Sequence, residues 1–231
     1  MKKIITLILV AVLMISFAVV ANGAGVEEMF RNLGADCIVK GGQTMNPSTD
    51  DILKAIHATP ARTVFVLPNN KNIIMAAEQA IPISTRKGVV IHTRTIPQGV
   101  SAMLSFGPDS DDNTNAIEMQ KATERVATGQ ITFAARNADV DGIKIKQGEL
   151  MAMLGGKITF VDTDLEKTVL KLLKKMIKPS SEFVTVIHGA DVTEEQAASI
   201  EAQIQEKFGA KTEITFINGG QPIYYYILSV E

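Results

Sequence analysis

Residues 36–56, DCIVKGGQTMNPSTDDILKAI, pass from a short apolar run through two glycines into an amphipathic segment with a helix start signal. Ser48 can accept a hydrogen bond from a first-turn amide, and the side chain of Asp51 can accept one in return. A buried strand that leads through a loop into a capped helix is the building unit of an open α/β sheet. This stretch therefore predicts the fold class.

The same alternation of apolar runs and capped helical segments continues on both sides. We predict strands at 17–21, 36–40, 63–67 and 88–93 in the first half, and at 131–135, 142–146, 157–161, 183–188, 212–217 and 223–229 in the second. Strands that alternate with helices are joined by right-handed crossovers and run parallel. The pattern predicts an α/β protein.

Two subdomains are expected, because a polar and acidic segment with turn residues interrupts the alternation. We interpret 108–113 as a linker between a first subdomain at 17–107, with a mostly parallel sheet, and a second at 114–231. The second begins with a helix at about 115–127 and has hairpin-turn chemistry at 138–142, which favours a mixed α+β arrangement. The linker aspartates do not follow the spacing of a calcium loop.

The first residues support two interpretations. Lys2 and Lys3 precede an apolar stretch, and small residues follow it, which is typical of a secretory signal or an anchor. The end of that stretch, 17–21, is equally typical of a buried parallel strand. We favour a core strand preceded by a leader-like segment at 1–16, in a cytoplasmic protein. Export or membrane anchoring through 1–23 is the alternative.

Composition argues against nucleic-acid binding. Lys and Arg number 23 against 25 Asp and Glu, no long basic stripe is visible, and aromatic residues make up 5% of the chain. The single cysteine, Cys37, cannot form an internal disulfide and lies in an apolar run, so we expect a buried small side chain rather than a nucleophile. The three histidines, His57, His92 and His188, are expected to be structural.

The loop at 41–49 is the first candidate binding site, because ligands and partners of open α/β sheets contact such strand-to-helix loops. Paired glycines allow close backbone approach, and a helix N-terminus favours a carboxylate or phosphate. A simple turn followed by a helix cap explains the same residues. The candidates in this loop are Gly41, Gly42, Gln43, Thr44, Asn46, Ser48 and Thr49.

Further candidates follow other predicted strands. Asn69, Asn70 and Lys71 end one strand and begin a helix, where they could contact an anion or form a capped turn. Gly219, Gly220 and Gln221 repeat the Gly-Gly-Gln of the first loop near the end of the chain.

Four ordered stretches carry a resemblance to a known family: 41–53, 64–80, 95–106 and 219–226. Over roughly 17–231 the chain resembles the C-terminal domain of the fatty acid kinase A protein, in the YloV-type, dihydroxyacetone-kinase-like family. The resemblance implies a DegV-like fold with two α/β subdomains.

The resemblance also implies a function. Members of that family phosphorylate fatty acids that a separate DegV-type carrier presents, which feeds acyl chains into phospholipid synthesis. ATP and magnesium would belong to a kinase domain absent from this chain, so neither a cofactor nor a metal nor a catalytic residue is expected here. The implied partners are the DegV-type fatty-acid-binding protein and the kinase domain, and a homodimer stays open.

One departure bears on the site. The chain has Gly41, Gly42, Gln43 and Thr44 where the carrier has a Thr-Ser-Gln-Pro-Ser pattern at its acyl carboxylate. We therefore expect a partner-binding domain. A carrier that binds an acyl chain or small anion at Gln43–Thr49 is the alternative, and an exported protein that reuses the fold is a third.

Overall fold

The computed structural model describes residues 15–42 and 45–231, which form two compact units. The first unit contains the residues up to Asn22 together with Glu27–Glu124, and the second contains Gly23–Val26 together with Arg125–Glu231. The leader-like segment lies outside the described residues except for its last two positions, which belong to the first strand. Gln43 and Thr44 also lie outside them.

The first unit contains a parallel sheet with the order β2-β1-β3-β4. Its strands are β1 (Ile15–Ala21), β2 (Cys37–Lys40), β3 (Thr63–Leu67) and β4 (Lys87–Val90). The crossover helices are α1 (Ala24–Asn32), α2 (Thr49–Ala58) and α3 (Lys71–Ala80), the last followed by a 3-10 turn at Ile81–Ile83. Because the chain goes from β1 outward to β2 and then returns to β3 on the other side of β1, the strand order reverses between β1 and β3.

Apolar side chains pack on both faces of this sheet. Ile52 and Ile56 of α2 and Ile73 of α3 are fully buried against Val20 and Val64. On the other face the rings of Phe17, Phe65 and Phe106 pack together, with centroid separations of 5.0–6.2 Å. A sheet covered on both faces explains why its strands are continuous apolar runs.

Two further helices complete the first unit, α4 (Ile96–Leu104) and α5 (Asp112–Arg125). The Asp112 carboxylate accepts hydrogen bonds from Thr63 and Lys87, both at 2.8 Å, and these bonds connect α5 to the starts of β3 and β4. The boundary between the two compact units falls after Glu124.

The second unit contains a mixed sheet with the order β11-β10-β12-β5-β8-β9, in which only β10 and β11 pair in parallel. A separate hairpin pairs β6 with β7. The strands are β5 (Ala127–Phe133), β6 (Ala138–Val140), β7 (Ile143–Ile145), β8 (Leu150–Leu154), β9 (Lys157–Asp162), β10 (Phe183–His188), β11 (Glu213–Asn218) and β12 (Tyr224–Val230). The helices α6 (Leu165–Met176) and α7 (Glu194–Phe208) pack against this sheet. The predicted α/β class with a parallel first sheet and a mixed second one is confirmed.

The core strand predicted at 17–21 is also confirmed. β1 lies between β2 and β3, and Ala18 and Val19 are completely buried. None of the helices in the described ranges is long and apolar enough to span a membrane.

Candidate functional site

Three loops, two of which contain predicted candidates, lie at the carboxyl edge of the first sheet. They follow β2, β3 and β4, and parallel strands place such loops along one edge. The fourth loop, at 218–223, belongs to the second unit. The first unit therefore contains the cluster from which a site can be built.

The loop after β2 needs glycine for its backbone. Gly41 has φ 154° and Gly42 has φ 137°, both outside the range that side chains favour. A methyl group on Gly41 would also lie within 2.7 Å of the Met45 carbonyl oxygen and of Pro47. The amide of Gly42 donates to the Met45 carbonyl at 3.1 Å and closes the turn. The paired glycines are thus required by the loop itself.

Ser48 and Thr49 have structural partners. Ser48 forms the predicted capping box of α2: its hydroxyl accepts from the Asp51 amide at 3.2 Å, and the Asp51 carboxylate accepts from the Ser48 amide at 2.9 Å. The Ser48 hydroxyl also donates to the Asp51 carboxylate at 2.7 Å, and this bond, together with the one from the Ser48 amide, holds the pKa of Asp51 below its usual value. The Thr49 hydroxyl donates to Gln79 at 3.3 Å, which connects α2 to α3. Ser48 is exposed, but its amide and hydroxyl are both hydrogen-bonded within the cap.

Asn69 is buried at the point where the strand order reverses. Its backbone is left-handed, with φ 53°, and its side chain is 4% exposed. The main-chain amide donates to the Thr93 hydroxyl at 3.0 Å, and the side-chain amide donates to the Val20 carbonyl at 3.0 Å. Among the described residues its Oδ1 has no hydrogen-bond partner. This oxygen faces Gly99 of α4, where a methyl group would collide with it.

Asn70 connects the loop after β3 to the loop after β2. Its side-chain amide donates to the Gly42 carbonyl at 3.0 Å, and its oxygen accepts from the Asn72 amide at 2.9 Å, which caps α3. Because both ends of the side chain are engaged and the residue is 5% exposed, Asn70 positions the loop after β2. Lys71, by contrast, is exposed and forms no ion pair within the described chain.

The loop after β4 is built in the same way. The Thr95 hydroxyl accepts from the Gln98 amide at 3.3 Å and caps α4, and Pro97 lies in the first helical turn. The side chain of Gln98 accepts from the Arg94 amide at 2.8 Å, and the Arg94 side chain extends into solvent.

A small set of exposed residues remains at this edge once the caps and buried amides are assigned. We call it the edge surface. It consists of Met45, Asn46, Lys71, Met75 and Arg94. Met45 and Met75 are 72% and 65% exposed, and Met75 lies one helical turn beyond Lys71 on the same face of α3. Lys71 and Met75 therefore place a cation and an exposed apolar group side by side on α3.

The interior behind these loops is filled. Ile52, Ile56 and Ile73 are fully buried in one cluster with the sheet, and Leu53 packs against that cluster. The first unit has a cavity of about 420 Å³ near Arg62 and Lys87, and a groove of about 440 Å³ beside β4 and α5, and neither includes these residues. These bulky side chains fill the space between the sheet and the helices α2 and α3.

The second Gly-Gly-Gln motif is a packing element. The Gly219 carbonyl accepts from the amides of Gly25 and Val26, each at 3.1 Å and both also in the second unit. Gln221 is 4% exposed and donates to the Ile187 carbonyl at 3.3 Å, and only Gly220, with φ 60°, is partly exposed. A side chain on Gly219 would collide with Gln221. As in the first loop, the first glycine of the motif is buried and the second is partly exposed.

The remaining reactive side chains are dispersed. His57 lies in the last turn of α2, and His188 ends β10 and is buried, whereas His92 lies beyond the end of β4 and is exposed, 2.9 Å from Glu78. Cys37 is half-buried rather than buried, and burial raises the pKa of its thiol. Among the described residues, no group of three or more His, Cys, Asp or Glu side chains could hold a metal ion.

Sequence reasoning missed the residues that close the edge. Thr93 and Gly99 contact Asn69 although they lie 24 and 30 residues further along the chain, and nothing local to either position indicates that contact. A glycine inside a helical segment was the available signal, since such a glycine often marks a close approach. Met45 and Met75 were not predicted as candidates either.

Comparison with known proteins matches nearly the whole chain. Residues 16–231 match the family model for the C-terminal domain of fatty acid kinase A-like (FakA-like) proteins. Protein YloV of Bacillus subtilis is 42% identical over 212 residues, which cover 92% of this chain and 38% of YloV. The chain thus spans less than half of the length of this curated relative.

Solved structures share the fold at low sequence identity. A DegV family protein from Corynebacterium glutamicum has a TM-score of 0.66 at 11% identity, covering 95% of this chain and 97% of that one. A DegV family protein from Thermus thermophilus, described by its fatty acid binding, has 0.63 at 10%, covering 94% and 99%. The dihydroxyacetone kinase of C. freundii has 0.62 at 14%, covering 94% of this chain and 48% of the kinase. The fold is therefore of the DegV and dihydroxyacetone kinase type.

Proposed function

This chain belongs to the FakA-like C-terminal domain family of fatty acid kinase proteins, and we propose that it is a non-catalytic domain that docks a DegV-type fatty-acid carrier protein. In this role it holds the carrier beside a kinase domain of the same family and supports phosphorylation of the carried fatty acid for phospholipid synthesis. A cytoplasmic location is part of the proposal. The observation that carries it is an exposed edge surface in front of a filled interior.

The edge surface fits a protein better than a fatty acid. Carboxylate recognition would use the buried amides at this edge, but Asn69 and Asn70 already bond to Val20 and Gly42. What remains exposed is two methionines, one asparagine and two cations, of which Met45 and Met75 are the most apolar. These groups can supply the apolar centre and charged rim of an interface.

Phosphoryl transfer is assigned to the partner kinase domain. It requires a phosphate cradle and metal-holding carboxylates in one place. In this proposal ATP and magnesium belong to a kinase domain, and the absence of a metal-holding cluster of His, Cys, Asp or Glu among the described residues supports it. Purified chain mixed with ATP, magnesium and a fatty acid on its carrier is expected to form no acyl phosphate until a kinase domain is added.

A stand-alone carrier of an acyl chain or small anion at Gln43–Thr49 is the second candidate. The likeness in fold to a DegV family protein described by its fatty acid binding favours it. The filled cluster around Ile52, Ile56 and Ile73 favours docking instead.

Two measurements on one protein preparation test the proposal. Organic extraction followed by mass spectrometry is expected to find fatty acid well below one equivalent per chain, and calorimetric titration with a DegV-type carrier is expected to show saturable binding. Stoichiometric fatty acid together with no heat of carrier binding would replace docking with the carrier function.

A further inference from the structure

Helix α6 presents a row of lysines on its solvent face. Lys171, Lys174 and Lys175 fall within an arc of about 100° at 3.6 residues per turn, and Lys178 follows in the next turn of chain. We call these four residues the lysine face. These lysines lie within eight residues of sequence, and the helix brings the first three to one side.

The charges of the lysine face are uncompensated. All four side chains are exposed, and none forms an ion pair with a carboxylate of the described residues. Lys167, one turn earlier, does have a partner, since its Nζ lies 3.3 Å from Asp164. The whole chain has a formal charge of −2, so the rest of the protein is acidic while the lysine face is positively charged.

An aromatic ring holds two of these ammonium groups in place. The Nζ of Lys171 lies 4.1 Å and that of Lys175 5.8 Å from the centroid of Phe160 in β9. A cation above an aromatic face is attracted by the ring quadrupole. The contact already restricts the side chains of Lys171 and Lys175, so they lose less conformational entropy when a partner binds.

The other side of α6 is committed to the core. Leu172 and Leu173 are fully buried against the sheet of the second unit, and Met176 is nearly so. The helix therefore cannot turn an apolar face outward, and any partner must be bound through charge.

The composition of the lysine face indicates the kind of partner. Protein interfaces are enriched in aromatic residues and arginine and depleted in lysine. Nucleic acids are read by bidentate arginine and by aromatic stacking. A surface of closely spaced phosphates that needs no directional contact suits lysine, whose ammonium acts as a point charge.

We propose that the lysine face binds the surface of a bilayer containing anionic phospholipid. Each lysine near such a surface strengthens binding by roughly fivefold, so that the four act together. The attachment is electrostatic and reversible, because no apolar face is available for insertion. The proposal is independent of carrier docking, which involves the first unit.

Vesicle sedimentation tests the proposal with the whole chain. Vesicles of phosphatidylcholine alone are compared with vesicles that also contain phosphatidylglycerol, at about 0.05 M and about 0.5 M salt. The intact protein is expected to partition at least about tenfold more strongly to the anionic vesicles at low salt, and high salt is expected to abolish the excess.

The decisive comparison uses two variants with the same change in net charge. One replaces Lys171, Lys174, Lys175 and Lys178 by Gln, and the control replaces four exposed lysines elsewhere in the second unit, Lys144, Lys146, Lys207 and Lys211, by Gln. Circular dichroism confirms that each is folded. Any affinity of residues 1–14 for lipid is common to all three proteins.

The first variant is expected to lose the excess for anionic vesicles and the control to retain at least half of it. Equal binding of the intact protein to both vesicle types would overturn the proposal. So would an excess that both variants retain, which would leave an acidic protein or a nucleic acid as the partner of the lysine face.

Discussion

The side-chain amide of Asn69 donates a hydrogen bond of 3.0 Å to the carbonyl of Val20 and so joins the carboxyl ends of two adjacent parallel strands. These strands, β1 and β3, flank the position where the strand order reverses, which is where open α/β sheets bind ligands. In this chain an internal amide bridges that position. The bridge is consistent with a domain that presents its loops outward.

Replacing Asn69 by Ala is expected to lower the free energy of unfolding by about 2–3 kcal/mol. The variant leaves the Val20 carbonyl without its donor. It also places alanine, which has no side-chain amide to stabilise a left-handed backbone, at φ 53°. Urea denaturation measures the change. Asn69→Gly removes the same hydrogen bond but accepts the left-handed backbone, and the difference between the two variants reports the backbone strain.

The exposed Asn46→Ala substitution at the same edge is the control and should change stability by less than about 0.5 kcal/mol. An Asn69→Ala protein as stable as this control would show that the bridge contributes nothing.

Gly99 is expected to be intolerant of a side chain although it lies in a helix. Alanine normally stabilises a helix relative to glycine by about 1 kcal/mol, but here its methyl group would collide with Asn69 Oδ1. We expect Gly99→Ala to destabilise the protein by about 2 kcal/mol or more. In the double variant with Asn69→Gly the collision is absent, so the combined loss should be smaller than the sum of the two single losses by at least about 1 kcal/mol. Additive losses would place the cause elsewhere.

The contact between Asp112 and Lys87 predicts a dependence of stability on pH. The hydrogen bond from Lys87, helped by one from Thr63, holds the pKa of Asp112 below its usual value. A carboxylate whose pKa is lowered by folding stabilises the folded state above the unfolded pKa, and this contribution is lost as the pH falls through the folded pKa. The stabilisation should be complete above about pH 5 and should decline as the pH falls below the unfolded pKa of about 4.

Urea denaturation midpoints of the wild type and of Asp112→Asn, measured at a series of pH values from neutral into acid, test this dependence of stability on pH. At neutral pH the variant should be less stable by only about 1 kcal/mol, because the pair is partly exposed and screened. In acid it should be as stable as the wild type, because Asp112 is then protonated. Asp109→Asn, an exposed carboxylate in the preceding turn, serves as the control and should follow the wild-type curve. If the difference in stability between the wild type and Asp112→Asn were the same at every pH, the effect of the substitution would come from packing rather than from charge.

The fold was largely predictable because local signals agreed with it. The strands at 63–67 and 183–188 have the predicted bounds, and both are rich in β-branched residues. β8 (Leu150–Leu154) was missed because Leu, Met and Ala favour helix, and only its pairing with β5 and β9 makes it a strand. The Gly155-Gly156 turn that follows, with φ 58° and 80°, was an unused hairpin signal.

The candidate site was less predictable than the fold. Caps such as that of Ser48 depend on a few neighbouring residues and were predicted correctly. Whether Asn69 or Gln221 is exposed depends on residues that pack over them from distant parts of the chain, and both are buried. Exposure of Lys71 and Met75 could only be read from the folded helix.

The place of β1 inside its sheet predicts that residues 15–21 remain in the folded protein. Cleavage after Gly23 would remove the strand to which both β2 and β3 bond, so a product that begins at Ala24 should not unfold cooperatively. Mass spectrometry and N-terminal sequencing of the expressed protein check this. A folded protein that begins at Ala24 would refute it.

The docking proposal predicts where carrier affinity resides. Substitutions of Asn70 or Ser48 are unsuitable tests, because their side chains support the loops. Lys71→Glu combined with Met75→Ser changes one charge and one exposed apolar group on the same face of α3 without breaking a hydrogen bond among the described residues. Loss of an apolar anchor and reversal of a rim charge should together weaken binding of a DegV-type carrier by at least about tenfold.

The matched control makes the same two kinds of change in the second unit, Lys144→Glu with Val140→Ser, where one cation and one exposed apolar side chain lie on a hairpin. It should bind the carrier within about twofold of the wild type, since hot-spot energy is confined to the residues at the interface. Both variants keep residues 41–49 intact, so any affinity of that loop for a small anion is unchanged. Calorimetric titration of the three folded proteins measures the dissociation constants. Equal weakening in both variants would indicate a general effect of charge, and unchanged affinity of the α3 variant would remove this face from the interface.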